Sequence, residues 1–224
     1  MTFYPTLTTL VDYRKKIEEI KTLKLEKVCV FFTGLNIDER KTLFEEIKKT
    51  EIKEIPFAHI KNDMSYEELD FLIKNYHTQR FNIHSEKEHS LIYDFSRYKD
   101  LIYIENVYAS FTQEEINKWA GVCIDFSHLE NDRLIRPEVF RKNIEIVKTN
   151  KIGCNHISAV QSKPYINNDG FERYDYHLAD NLSDFDYLKK YDKSLFSDFC
   201  AIELNNEISF QLKAIDYVKK IINE

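Results

Sequence analysis

Short apolar runs alternate with stretches of helical spacing along nearly the whole chain. The segments 2–5, 27–33, 54–60, 81–84, 101–105, 121–125, 151–156 and 199–203 read as strands, each brief and rich in β-branched or aromatic residues. Between them, Leu10, Ile17, Ile20 and Leu23 recur at helical spacing and predict a helix over 9–23. Asp38 is expected to cap a helix reaching Lys49. Ser65 with Glu68 forms a capping box for a helix through Tyr76, and Thr112 with Glu115 forms a second one for a short helix. Pro137 suits the first turn of a helix through Lys148. A helix is expected over 185–191, where Asp184 and Asp186 read as capping residues, and another over 208–222. Only 158–184, with Pro164, Asn167 and Gly170, reads as a long excursion.

Eight strands interleaved with helices predict an α/β fold, a compact (β/α)8 TIM barrel rather than an open doubly wound sheet. At 224 residues and 43% hydrophobic content the chain supports one sizeable core, so residues 1–224 are expected to form a single domain. That length is near the lower end for such a barrel, so most loops must be short.

The strand ends then acquire meaning. His84, Glu105, Asp125, His156 and Glu203 each close a strand-like run. Alternation along a strand puts Tyr103, Cys123 and Cys154 on the same inward face as the residues two places on, and Val122 and Ile124 outward onto helices. A parallel barrel gathers its last inward residues around one mouth. Imidazoles and carboxylates converging there describe a metal site.

The formal charge of −6 excludes a strongly basic footprint, although a local basic rim or bound cations can outweigh the global sign. No apolar run approaches the roughly 18 residues a membrane span requires, so no membrane partner is expected. The segment Met1-Thr2-Phe3-Tyr4-Pro5 lacks a charged region followed by an apolar block, which predicts no signal peptide and a cytoplasmic protein. Cys29, Cys123, Cys154 and Cys200 lie inside predicted strands without C-x-x-C spacing and read as buried reduced thiols.

Several segments together resemble the xylose isomerase-like barrels, and within them the endonuclease IV (AP endonuclease family 2) branch. Gly121-Val122-Cys123-Ile124-Asp125-Phe126-Ser127-His128 looks like that branch's G-V-C-I-D-x-x-H segment. Ile104-Glu105-Asn106 resembles its I-E-N, and Ala201-Ile202-Glu203 its final strand glutamate. Asn155-His156 falls where the family ends its seventh strand, and Asp175-Tyr176-His177 has its D-x-H spacing. Phe31-Phe32-Thr33-Gly34 is similar to its second-strand segment.

The resemblance implies up to three divalent cations, with Zn²⁺ foremost. Glu105 would bridge two of them. One would also take His59 and His84; the other would take Asp125, His156 and Glu203. A third would be held by His128, Asp175 and His177. Imidazole and carboxylate donors suit Zn²⁺ or Mn²⁺, and clustered cations can activate water against a phosphodiester.

Three function classes follow. The first is a metal-dependent hydrolase of phosphate esters, with abasic-site DNA as one substrate. The second is a sugar or sugar-phosphate isomerase or epimerase using one Mn²⁺ or Mg²⁺ on Glu105, Asp125, His156 and Glu203, with Glu105 and Glu203 as the catalytic pair that moves a proton. Short DNA-facing loops favour this class. The third is a barrel that binds a ligand without turnover. Lys163, Arg173 and Tyr108 are the candidate substrate-binding residues, and the bland reading makes them solvated charges and loop packing. No obligate protein partner is expected. His77 and His89 match no family position and read as helix-surface or loop residues.

Overall fold

Eight parallel strands close on themselves in the computed structural model, which describes residues 1–167 and 170–223. Seven come first: β1 (Thr2–Thr8), β2 (Cys29–Phe31), β3 (Phe57–His59), β4 (Arg80–His84), β5 (Ile102–Glu105), β6 (Gly121–Asp125) and β7 (Ile152–Ile157). Next, β8 (Ala159–Ile166) and β9 (Glu172–Tyr176) pair antiparallel outside the barrel. The last barrel strand is β10 (Phe199–Ile202), which joins β7 on one side and β1 on the other. The sequence expectation of a (β/α)8 barrel is met.

The helices α1 (Tyr13–Thr22), α2 (Ile37–Ile47), α3 (Tyr66–Tyr76), α4 (Gln113–Ile116), α5 (Phe126–Ile135), α6 (Pro137–Val147) and α7 (Ile208–Asn223) return the chain between strands. Strand residues facing outward, among them Val30, Ala58, Ile104, Val122 and Ile124, pack with Ile17, Ile20, Leu43, Leu69, Leu72 and Val218 of the helices. Inward residues form a separate cluster of Cys29, Phe31, Phe57, Tyr103, Cys123, Cys154 and Ala201. All four cysteines are buried and free, as the sequence suggested.

The alternation that predicted this inner cluster is interrupted once. Register shifts between Val122 and Cys123 where β6 meets β7, leaving Gly153 beside the bulge. A Cβ on Gly153 would come within 2.0 Å of the Tyr103 ring, so the ring uses the space a side chain would fill.

Some local expectations need correction. Helix α1 starts at Tyr13 rather than residue 9, because β1 runs on to Thr8, the Thr9 hydroxyl bonds the Phe31 carbonyl at 2.8 Å, and Asp12 supplies the cap. Asn36, not Asp38, caps α2 and makes a capping box with Glu39. The Ser65–Glu68 box forms as expected. The Thr112–Glu115 box does not: the Glu115 carboxylate instead accepts from the Ser85 hydroxyl at 2.9 Å and the Glu86 amide at 2.7 Å. The 185–191 helix is a 3-10 stretch over Leu182–Lys190, and Asp186 accepts from the Tyr217 hydroxyl at 2.7 Å rather than capping it. His77 ends α3 in the left-handed conformation with φ 54°.

Candidate metal centre

The C-terminal ends of β5, β6, β7 and β10 bring Glu105, Asp125, His156 and Glu203 together. One ligand atom from each lies within 4.8 Å of the others, and all four residues are buried. His59, His84 and Glu105 form a second group to the same criterion, with Glu105 common to both. Glu105 is therefore shared by the two groups that could each hold a cation.

The atoms in the first group approach one another as ion pairs without meeting hydrogen-bond geometry. His156 Nδ1 is 3.0 Å from Glu203 Oε2 and 3.3 Å from Glu105 Oε1, yet neither nitrogen of His156 makes a hydrogen bond among the described residues. Asp125 Oδ2 and Glu203 Oε2 are likewise buried and without a hydrogen-bond partner. Buried polar atoms are ordinarily satisfied, so several orphans facing one point are the arrangement a cation would complete. The charges agree. Burial opposes ionisation of Glu105, but His156 and His59 outweigh it and hold the carboxyl well below the usual range. Burial opposes charge on His156 too, and Glu105 and Glu203 raise its pKa well above the ordinary value. The pocket demands positive charge, which a divalent cation on neutral His156 would supply.

Neighbouring groups fix the donors. Asp125 uses Oδ1 to accept from the Ser127 hydroxyl at 2.7 Å and the His128 amide at 2.9 Å, capping α5 and leaving Oδ2 for the centre. Asn106 brackets the Asp125 backbone, accepting from its amide at 2.9 Å and donating to its carbonyl at 3.0 Å. Asn82 donates to Glu105 Oε2. His59 Nδ1 lies 3.1 Å from the Ile60 carbonyl, a contact that would keep the proton on Nδ1 and free Nε2 to ligate once a cation is bound. That Nε2 is 2.9 Å from Glu105 Oε2 and 3.0 Å from His84 Nε2. Burial first, and His59 second, lower the His84 pKa to about 3, which keeps its ring neutral and able to ligate.

The remaining sequence candidates sit beside this centre. His128, on α5, places Nδ1 2.6 Å from Asp175 Oδ2 of β9. Burial opposes a charge on His128, but Asp125 and Asp175 raise its pKa to about 10. Arg173 donates Nε to Asp175 Oδ1 at 2.7 Å, and its Nη2 lies 3.1 Å from His128 Nδ1. The His177 ring centre is 6.0 Å from that of His128, with Nδ1 3.0 Å from the Ser158 hydroxyl. Among the described residues His128, Asp175 and His177 do not close to the spacing of the other two groups. Tyr108 stacks beneath the Arg173 guanidinium at 4.9 Å and, with Phe171, Ile135 and Arg136, lines a cavity of about 630 Å³. Lys163 is exposed on β8. Sequence reading missed Asn82, Asn106 and Ser127, whose roles depend on partners across strands, and α5 as the element carrying His128.

No family model matches the chain, and no curated protein does. Solved structures do. The IolI protein, solved with a bound zinc atom, aligns over 97% of this chain and 96% of its own, at 15% identity and a TM-score of 0.52. The two share a fold. The probable 3-DHS dehydratase AsbF of Bacillus anthracis aligns over 98% and 97%, at 13% identity and a TM-score of 0.47. No helix of the described residues is long and apolar enough to cross a membrane.

Proposed function

We propose that this protein is a divalent-metal-dependent enzyme of the xylose isomerase-like superfamily, acting as an isomerase or epimerase on a small polyhydroxylated substrate such as a sugar or sugar phosphate. The observation that carries this is the buried Glu105–Asp125–His156–Glu203 group, with two carboxylates flanking one imidazole and donor atoms left unpaired. The IolI structure, which shares this fold, holds a zinc atom, in keeping with a divalent cation in such a barrel.

A bound Zn²⁺, Mn²⁺ or Mg²⁺ would polarise substrate oxygens and offset the three carboxylates. The chain's own groups divide the remaining work. Glu105 is anchored by Asn82 and His59, so it is the fixed partner of the pair. Glu203 Oε2 has no hydrogen-bond partner and is the freer proton acceptor. Burial alone would raise its pKa, but His177 and His156 lower it to about 2, so it is ionised at neutral pH. Glu203 taking a proton from a carbon beside a carbonyl and handing it back to the neighbouring carbon, with Glu105 staying ionised, is the reaction this pair suits. Tyr108 and Arg173 would hold the distal part of the substrate, with Arg173 able to face a phosphate.

A second reading is favoured by the His59–His84 pair on Glu105, a second cation position that a one-cation isomerase does not need. It is phosphoester hydrolysis, in which paired cations activate water. A net charge of −6 makes duplex DNA the less fitting of its substrates.

The deciding experiment uses untagged protein with its metals counted. It scores solvent deuterium entering a panel of ketoses and sugar phosphates, alongside cleavage of a chromogenic phosphodiester. Deuterium uptake that survives His84→Ala and is lost in Glu203→Gln is expected. Phosphodiester cleavage lost in His84→Ala, with no deuterium uptake in the parent, would replace the first reading by the second.

A further inference from the structure

Beyond the end of β4 the chain turns sharply. The amides of Glu88 and His89 both donate to the Ser85 carbonyl, at 2.9 and 3.0 Å, and the Glu115 carboxylate holds Ser85 and Glu86 from below. This turn folds Glu88 and His89 back over His84. One ligand atom from each of the three falls within 4.8 Å of the others, and the His84 and His89 rings are 5.4 Å apart.

Glu88 is built into this place. Its Oε1 accepts from the amides of Tyr108 and Ala109 at 3.0 and 2.6 Å, which fixes the carboxylate. Its Oε2 is buried and has no hydrogen-bond partner. A surface glutamate with nothing to bind would turn that oxygen to water, since leaving it unpaired costs roughly 1–3 kcal/mol or more.

His89 and the inner ligands also share a cavity. About 70 Å³ is lined by His59, His84 and His89 with Thr33, Ile60, Lys61, Asn62 and Ile83, room for a cation with a water or two. The Lys61 ammonium is drawn to the Leu35 carbonyl at 2.9 Å. His84 is the member common to both sides. Its Nε2 points at His59 and Glu105, which leaves Nδ1 for an ion on the outer side.

We propose that His84, Glu88 and His89 form an outer divalent-cation site at the barrel mouth, through which an ion passes to the His59–His84–Glu105 group. This rests on the reading of the barrel mouth as a metal centre. Because one imidazole belongs to both groups, the outer position is a station on the way in, and its occupancy is linked to that of the inner one. His89, which lies outside the inner centre, thereby acquires a role in loading it.

The test follows zinc uptake by the full chain after stripping with a chelator, with a chromophoric zinc indicator as competitor. Parent protein is compared with His89→Ala and Glu88→Gln. Each variant should take up zinc on the order of tenfold more slowly while keeping the equivalents held by the inner groups. A second measurement protects against misfolding: in His59→Ala, where the inner group is broken, zinc should slow diethyl pyrocarbonate labelling of His89, read by peptide mass spectrometry. Uptake rates equal to the parent's in both variants would overturn the outer site while leaving the inner centre intact. A parent protein that takes up no zinc, manganese or magnesium would overturn the metal centre itself, and the outer site with it.

Discussion

Asp125 caps the helix that carries His128: one carboxylate oxygen accepts from the His128 amide at 2.9 Å while the other is left bare in the pocket beside His156. Helix start and cation site are thus two ends of one side chain. Substitution can separate them. Asn is as good a cap as Asp, so Asp125→Asn should keep metal-free stability within about 1 kcal/mol of the parent. It should still lose cation affinity by roughly tenfold or more, having removed a charged donor. Asp125→Ala should lose affinity equally and cost about a further 1 kcal/mol of stability. Urea unfolding of stripped protein and metal titration, run on both variants, check the pair. Equal destabilisation by Asn and Ala would contradict the capping role.

Removing bound cations should lower thermal stability. Three buried carboxylates then face one another with only His156 and His59 between them. A ligand held at a hundred times its dissociation constant contributes about 2.7 kcal/mol, so a drop of several degrees on chelation, restored by zinc, is expected in calorimetry. An unchanged midpoint would count against the centre.

Gly153 should not tolerate a side chain. Its Cβ would sit 2.0 Å from Tyr103, inside a packed barrel where the ring has nowhere to go. Gly153→Ala should destabilise by about 1–3 kcal/mol, as overpacking of a core does. Combining it with Tyr103→Leu should recover part of that loss in denaturant unfolding.

Lys16 gives the fold a pH signature. It is buried, donates to the Thr8 hydroxyl and the Leu204 carbonyl, and burial lowers its pKa to about 7 against the opposing pull of Glu19 and Glu203. In the unfolded chain it keeps its proton up to 10.5, the ordinary value. Between those limits the unfolded state binds more protons, so raising pH favours the folded state. The stability difference between parent and Lys16→Met should therefore shift in the parent's favour from about pH 7 to about pH 9, by an amount of order 1–3 kcal/mol. Urea midpoints across that range measure it, and a pH-independent difference would refute it.

The barrel and the inner ring were legible because strand parity leaves a strict trace. Cys154, Cys123 and Tyr103 fall two places before His156, Asp125 and Glu105, and the fold puts the first three in the inner cluster. Helix α5 left no such trace. Phe126 through Asp132 are all buried, polar and apolar alike, so no apolar stripe marks the helix. Two of its polar residues find partners instead: Glu130 accepts from Arg133 of the same helix and from the distant Lys190 and Tyr191, and Asn131 accepts from the Tyr174 amide. The hairpin of β8 and β9 was hidden for a related reason. It packs on α5 through Arg173 and Asp175, which look like ordinary loop charges until His128 stands opposite them.

The inner cluster has one more consequence. Beneath the ligands, Cys29, Cys123, Phe31 and Phe57 are wholly or almost wholly shut off from water, and burial pushes both thiols up so that they stay neutral. An uncharged, dry stopper of this kind gives ions and protons no back door. Cation, solvent and reactant are therefore left to enter from the ligand end of the barrel.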